Sequence, residues 1–231
     1  MLGLGHKSEA QKHERPRDAG VLIVGVGRFG ASIAIALERL GKDVLCVERS
    51  PKVVAHWTGM FPIVEADATD PVALDQIGAQ DFSVAVVGIG TSLEASVLVT
   101  TNLVDIGVPR IWAKAISTKH GRILERLGAN RVVYPEAETG ERVAHLLSGQ
   151  MMDYVEVEDG FTIVKMRPPV ELQGQSLLQL GVRQRFGVTV LGVKRPGQPF
   201  EYATPDTVVT DEDTIICMGP SEFLERLAAK I

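Results

Sequence analysis

The chain of 231 residues is poor in cysteine, in aromatics, in net positive charge and in long apolar runs, and each shortage closes off a class of protein. Its two cysteines, Cys46 and Cys217, lie far apart inside apolar, strand-like stretches. Without a C-x-x-C pair or a disulfide framework they read as buried thiols. The longest stretches free of Asp, Glu, Lys and Arg are the 12 residues Val53–Val64 and Phe82–Leu93, whereas a helix needs about 20 apolar residues to span a bilayer. Met1 to Arg17 carries no apolar segment of the secretory kind, so a cytoplasmic protein is expected. A net charge of −5 gives no clustered basic face, and no nucleic-acid partner is expected. Aromatics make up 5% of a chain that is 45% hydrophobic, so the core must be aliphatic. The length allows one large domain or two modest ones.

What the chain does have is concentrated in Val21-Leu22-Ile23-Val24-Gly25-Val26-Gly27-Arg28-Phe29-Gly30. Four β-favouring apolar residues predict a fully buried strand. Gly25, Gly27 and Gly30 follow, and Ala31 to Leu40 then repeats apolar residues at helical spacing. In that context the first glycine permits a tight turn and the second lets backbone approach a phosphate. The third lets helix and strand pack closely, so that the helix N-terminus faces the anion. Asp43 to Glu48 reads as a second strand ending in a carboxylate 21 residues beyond Gly27, near the spacing of an acid that holds ribose hydroxyls.

Met1 to Asp18 is polar and mixed in charge and is expected to be a disordered tail. His6 and His13, seven apart within it, do not make a metal site. From Val21 strands and helices alternate. Ser50-Pro51 opens a helix through Trp57, Ile63-Val64 is a third strand, and Asp70-Pro71 is a helix start. Asp67, Ala68 and Thr69 therefore fall in a strand-to-helix loop, on the edge where ligands bind in such sheets. Ser83–Val87 is the fourth strand, closed by Gly88-Ile89-Gly90, and a helix runs from Ser92 to Ile106. Ile111–Ala115, a helix from Thr118 to Leu127, and Arg131–Tyr134 complete a Rossmann-like, doubly wound parallel sheet by about residue 135. Lys114 is a cation in an apolar strand, either a site residue or a side chain snorkelling from the sheet end. Glu136 follows the sixth strand, either near the site or as a solvated loop acid.

The pattern then changes. After a helix from Glu138 to Leu147, Ser148-Gly149-Gln150 marks the boundary between domains 19–150 and 151–231. Tyr154–Val157 and Phe161–Met166 flank Asp159-Gly160 as a hairpin. A helix over Gln175–Arg185, strands at Val188–Val193 and Asp213–Met218, and a helix from Ser221 to Ala229 make a small α+β domain.

The glycine loop, Glu48, Ala66-Asp67-Ala68-Thr69-Asp70, Ala113-Lys114-Ala115 and Tyr134-Pro135-Glu136 resemble the Trk/Ktr family, regulatory subunits of bacterial potassium uptake built from RCK domains. Residues 188–194 and 211–215 resemble that family's C-terminal half. The resemblance implies that Gly25, Gly27, Arg28, Phe29 and Gly30 hold phosphates and Glu48 the adenosine ribose. It places Asp67, Ala68 and Thr69 against adenine, Gly88 and Ile89 over the pocket, and Lys114 on phosphate or ribose. Glu136 corresponds to an acid that helps hold Mg2+ or Ca2+ in some members. The implied ligands are ATP/ADP or NAD(H), with cyclic di-AMP on the C-terminal domain in some relatives. Arg183, Arg185 and Lys194 give that domain no more than a basic tilt. The implied partners are further copies, as a homodimer building a homo-octamer, and a TrkH/KtrB-like membrane subunit at the inner face of the membrane.

The competing reading is an NAD-dependent oxidoreductase, because fold alone does not choose between them. A dehydrogenase needs an acid or base over the nicotinamide, and His56, His120 and His145 read as surface or packing residues. The expectation is a regulator without catalysis. NADP is disfavoured, because its 2′-phosphate would meet the Glu48 carboxylate.

Overall fold

The computed structural model describes residues 20–147, 151–158 and 160–230. The expected tail with His6 and His13, the boundary residues 148–150 and Asp159 lie outside them. By packing, the chain divides into two compact units, Met1–Pro135 and Glu136–Ile231.

The first unit runs β1 (Val21–Val24), α1 (Arg28–Arg39), β2 (Val44–Glu48), α2 (Pro51–Trp57), β3 (Ile63–Glu65), α3 (Pro71–Gln76) and β4 (Val84–Val87). It continues through α4 (Leu93–Ile106), β5 (Ile111–Lys114), α5 (Thr118–Leu127) and β6 (Arg131–Val133). All strand pairs are parallel, in the order β3-β2-β1-β4-β5-β6. This is the doubly wound order that the alternation predicts, and it reverses between β1 and β4, where a crevice opens. Side chains alternate across the sheet. Leu22 and Val24 join one core cluster with Leu74, Leu103 and Ile111, while Ile23 joins another with Ala34, Cys46 and Phe61. With both faces covered, β1 reads as an unbroken apolar run.

Local chemistry sets the helix ends. Asp70 accepts from Val72 N–H, Ser92 from Ala95 N–H and Ser117 from His120 N–H. Gly107 and Gly128 close α4 and α5 at φ of +82° and +108°. Ser50 stands at the start of α2, but its side chain makes no capping bond.

The second unit holds α6 (Pro135–Leu147), β7 (Asp153–Glu158), β8 (Phe161–Met166), α7 (Leu177–Leu180), α8 (Val182–Phe186), β9 (Thr189–Lys194), β10 (Phe200–Tyr202), β11 (Thr214–Pro220) and α9 (Ser221–Ala228). Its sheet is antiparallel in the order β10-β9-β11-β8-β7. Val164, Met166, Leu172, Ile215, Cys217 and Leu224 form its core. Three details differ from the sequence reading. The helix expected over Gln175–Arg185 is two short helices, because Gly181 takes a φ of +57° between them. β10 was not expected; it is a three-residue edge strand, exposed throughout, held against β9. Helix α6 begins at Pro135 rather than Glu138, with proline at a favoured first position.

Candidate functional site

The glycine loop between β1 and α1 is built around one carbonyl. A Cβ at Gly30 would collide with Gly25 O, and one at Gly88 would lie 2.8 Å from the same atom. Gly25 itself has a φ of +91°, and a Cβ there would sit 2.9 Å from the Ile89 side chain. These contacts let the start of α1 and the end of β4 close on the turn. Gly27 is the opposite case. As the residue before α1 it has an ordinary φ of −72°, and a Cβ there would meet nothing within 4 Å. Backbone at Gly27 thus borders open space, and the first N–H groups of α1 have no acceptor inside the helix. That end suits an anion, because the amides and the helix dipole both favour negative charge.

A cleft of about 340 Å³ opens at the carboxyl ends of β1 and β4, within the size range of small-molecule sites. Of the residues singled out from sequence, Gly25, Gly27, Glu48 and Ile89 line it, as do Asp67, Ala68, Thr69 and Gly88. Arg49, Ser50, Gly90 and Thr91 line it as well and were not anticipated. Gly30, Arg28, Phe29 and Lys114 are not in the lining. Gly30 packs against Gly25, and Arg28 is exposed at the first position of α1. Lys114 Nζ lies 5.8 Å from the Phe29 ring centre and would lie 3.2 Å from a Cβ at Gly90, a lining residue. Phe29 and Lys114 therefore flank the cleft.

Glu48 has work to do within the protein. Its Oε2 accepts from Val26 N–H at 2.9 Å, and its Oε1 accepts from Ser50 N–H at 3.0 Å. The carboxylate ties the glycine loop to the turn after β2, and each oxygen keeps acceptor capacity for a hydroxyl. Asp67 Oδ1 accepts from Thr69 Oγ1 at 2.7 Å and from Thr69 N–H at 3.0 Å. Those bonds hold the Asp67 carboxyl below its ordinary range. Sequence reasoning missed Asn102, whose Nδ2 donates to Ala68 O at 3.2 Å and Thr69 O at 2.9 Å. An amide within the mainly apolar run of α4 was the available signal.

The remaining candidates lie elsewhere. His120 is buried in α5, its Nδ1 accepts from Ile116 N–H at 3.4 Å, and its Nε2 has no partner. Burial pushes its pKa down, so it is a neutral packing residue. His56 meets the edge of Trp57, and His145 stacks on Tyr154 at 3.9 Å between ring centres. None of the three lines the cleft. Cys46 and Cys217 are buried thiols, as expected, and burial pushes both up to about 12. Glu136 is in the first turn of α6, in the second unit. Among the described residues no group of three or more His, Cys, Asp or Glu side chains is placed to hold a metal ion. A cation at Glu136 would need further oxygen ligands from nucleotide phosphate or from a second copy. A shallower groove of about 750 Å³ in the second unit is bordered by Arg183 and Arg185 but not Lys194. No helix among the described residues is long and apolar enough to cross a membrane.

A glycine-turn crevice at the switch point of a parallel sheet, followed by a separate antiparallel unit, defines a two-domain protein whose first domain is Rossmann-like. Residues 21–135 match the TrkA-N domain and residues 161–231 the TrkA-C domain. The chain is 32% identical over 206 residues to Ktr system potassium uptake protein A of Bacillus subtilis (strain 168), covering 88% of this chain and 93% of that protein. It is 29% identical over 211 residues to Ktr system potassium uptake protein C of the same organism, covering 90% and 96%. Among solved structures, the GsuK RCK domain superposes with a TM-score of 0.64 at 20% identity, over 100% of this chain and 50% of that one. The GsuK channel bound to NAD also gives 0.64 at 20% identity, over 94% and 42%. The chain thus spans half or less of those GsuK chains. It belongs to the TrkA-N/TrkA-C family that includes the Ktr potassium uptake proteins, as the sequence resemblance implied.

Proposed function

We propose that this chain is the nucleotide-responsive regulatory subunit of a potassium uptake system, binding an adenine nucleotide, ATP/ADP or NAD(H), in the first-unit cleft. The observation that carries the reading is the glycine loop. Gly25, Gly30 and Gly88 are packed too tightly for side chains, while Gly27 borders open space beside the start of α1. Glu48 stands at the same edge with acceptor capacity for ribose. A GsuK channel of the same fold has been solved with NAD, which supports the ligand class. The reading is non-catalytic: His120 is buried, and neither His56 nor His145 borders the cleft.

A regulator of this kind works by differential affinity. Tenfold preference of a nucleotide for one shape supplies about 1.4 kcal/mol per site, and several sites in one assembly add to a strong bias on a gate. The expected assembly is a homodimer building an octamer, docked on a TrkH/KtrB-like membrane subunit at the cytoplasmic face. Exposed apolar side chains on two contacting helices, Leu93 and Leu98 of α4 and Ile123 of α5, support contacts between copies. A thermal-shift panel with ATP, ADP, NAD and NADH tests the ligand. A ligand at 100 times its Kd adds about 2.7 kcal/mol of stability. Stabilisation by none of the four removes the nucleotide from the account, and turnover of NADH with a small substrate returns the dehydrogenase.

A further inference from the structure

We propose that Asn102 is a positioning residue for base selection, setting the β3–α3 loop so that the cleft takes a 6-aminopurine and rejects a 6-oxopurine. The inference rests on the nucleotide reading of the cleft and concerns how one end of it is tuned. Both partners of the Asn102 side chain are carbonyl oxygens, which only accept, so the group facing them is the NH2. With its donors on Ala68 O and Thr69 O, the amide takes two acceptors of the loop out of use.

The rest of the loop is consumed in the same way. Ala66 N–H donates to Glu48 O at 3.1 Å, and Asp70 N–H donates to Asp67 O at 3.1 Å. Thr69 gives both its N–H and its hydroxyl to Asp67 Oδ1. Two groups on consecutive residues of the cleft lining have no such bond: the N–H of Ala68 and Oδ2 of Asp67. The lowered pKa of Asp67 keeps that oxygen an acceptor at neutral pH. An acceptor beside a donor complements the N6 amino group and N1 of adenine. In a 6-oxopurine, O6 would face the carboxylate and N1–H would face the Ala68 N–H, leaving like groups opposed and unpaired. Sites that read a polar edge in this way discriminate, because the wrong ligand opposes like groups and leaves the N–H of buried Ala68 without an acceptor. Without Asn102 the two freed carbonyls can turn toward the cleft and offer acceptors to N1–H, so the preference falls.

The test is calorimetric affinity for ATP and ITP, which differ only at position 6 and N1, on the wild-type chain, Asn102→Ala and the near-isosteric Asn102→Asp, with the melting temperature of each. The wild-type chain should prefer ATP by about tenfold or more. Both variants should stay folded, weaken ATP, hold ITP, and bring the preference to within about threefold. Equal weakening of both ligands, an unchanged preference, or a wild-type chain that binds both alike overturns the inference while leaving the nucleotide site standing. If neither variant folds, Asn102 serves the fold and the assignment is likewise overturned. A wild-type chain that binds neither ligand overturns the nucleotide reading itself.

Discussion

The two sheets draw on similar aliphatic residues and put their loops in opposite arrangements. In the first, every strand runs the same way, so the turns after β1, β2, β3 and β4 all emerge at one edge. Gly25, Glu48, Asp67 and Gly88 are therefore neighbours although more than sixty residues of chain separate the first from the last. In the second sheet neighbouring strands run in opposite directions, so the turns leave from both ends of the sheet. There β8 and β11 alternate buried and more exposed side chains, with the core on one face. Parallel order collects polar groups at an edge with no local sequence pairing them; antiparallel order spreads them out. This is why the ligand reading belongs to the first unit.

The sharpest way to break this contrast is at Gly30. A Cβ there meets backbone, Gly25 O, which cannot swing aside. Gly30→Ala should destabilise the first unit by about 3 kcal/mol. Trp57 and Trp112, the two tryptophans of the chain, both lie in that unit, so urea unfolding followed by tryptophan fluorescence reads it. An unchanged midpoint contradicts the packing account of the loop.

Gly27→Asp separates the site from the fold. The new side chain enters open space, so stability should hold to within about 0.5 kcal/mol. Its charge stands where a phosphate approaches, so ATP affinity should fall tenfold or more in calorimetry. Glu48→Ala should affect both. Losing a charge-assisted bond to ribose costs roughly 1.5–3 kcal/mol of binding, and Val26 and Ser50 N–H lose their acceptor, for about 1 kcal/mol of stability. Full affinity in Glu48→Ala would remove Glu48 from the site.

The smallest effect is in pH. His120 is held neutral by burial, with its folded pKa below the ordinary value of about 6.5. The unfolded chain therefore takes up the proton first. The contribution of His120 is whole above about pH 6.5 and is lost as pH falls below it, until the folded group also protonates. A chain with His120→Gln should show a shallower fall in first-unit stability between about pH 6.5 and 5. An identical slope would mean that other groups carry it.

How far the sequence could be read follows from the same contrast. β1, the glycine turn, the spacing to Glu48 and the Asp70-Pro71 start are local patterns, and each is found where its residues predict. α4 and α5 end at Gly107 and Gly128 for the same reason. What escaped depends on distant partners. β10 is three exposed residues paired with Gly192–Lys194 at the sheet edge, too short to show a period of its own. Gly181 looks no different in sequence from a glycine that a helix tolerates, yet it breaks one. Asn102 lies more than thirty residues from the loop it holds. Nor does spacing reveal that the Glu48 carboxylate binds Val26 and Ser50 N–H.

The central claim is that nucleotide in the first-unit cleft is the signal that controls potassium uptake. The direct measurement is potassium uptake at low external concentration in cells lacking this protein, restored with either the wild-type chain or Gly27→Asp at equal folded levels. The account predicts that the wild-type chain restores uptake and that Gly27→Asp, folded but with nucleotide affinity at least tenfold weaker, does not. Full restoration by Gly27→Asp, with its weakened binding confirmed on the purified protein, would contradict it.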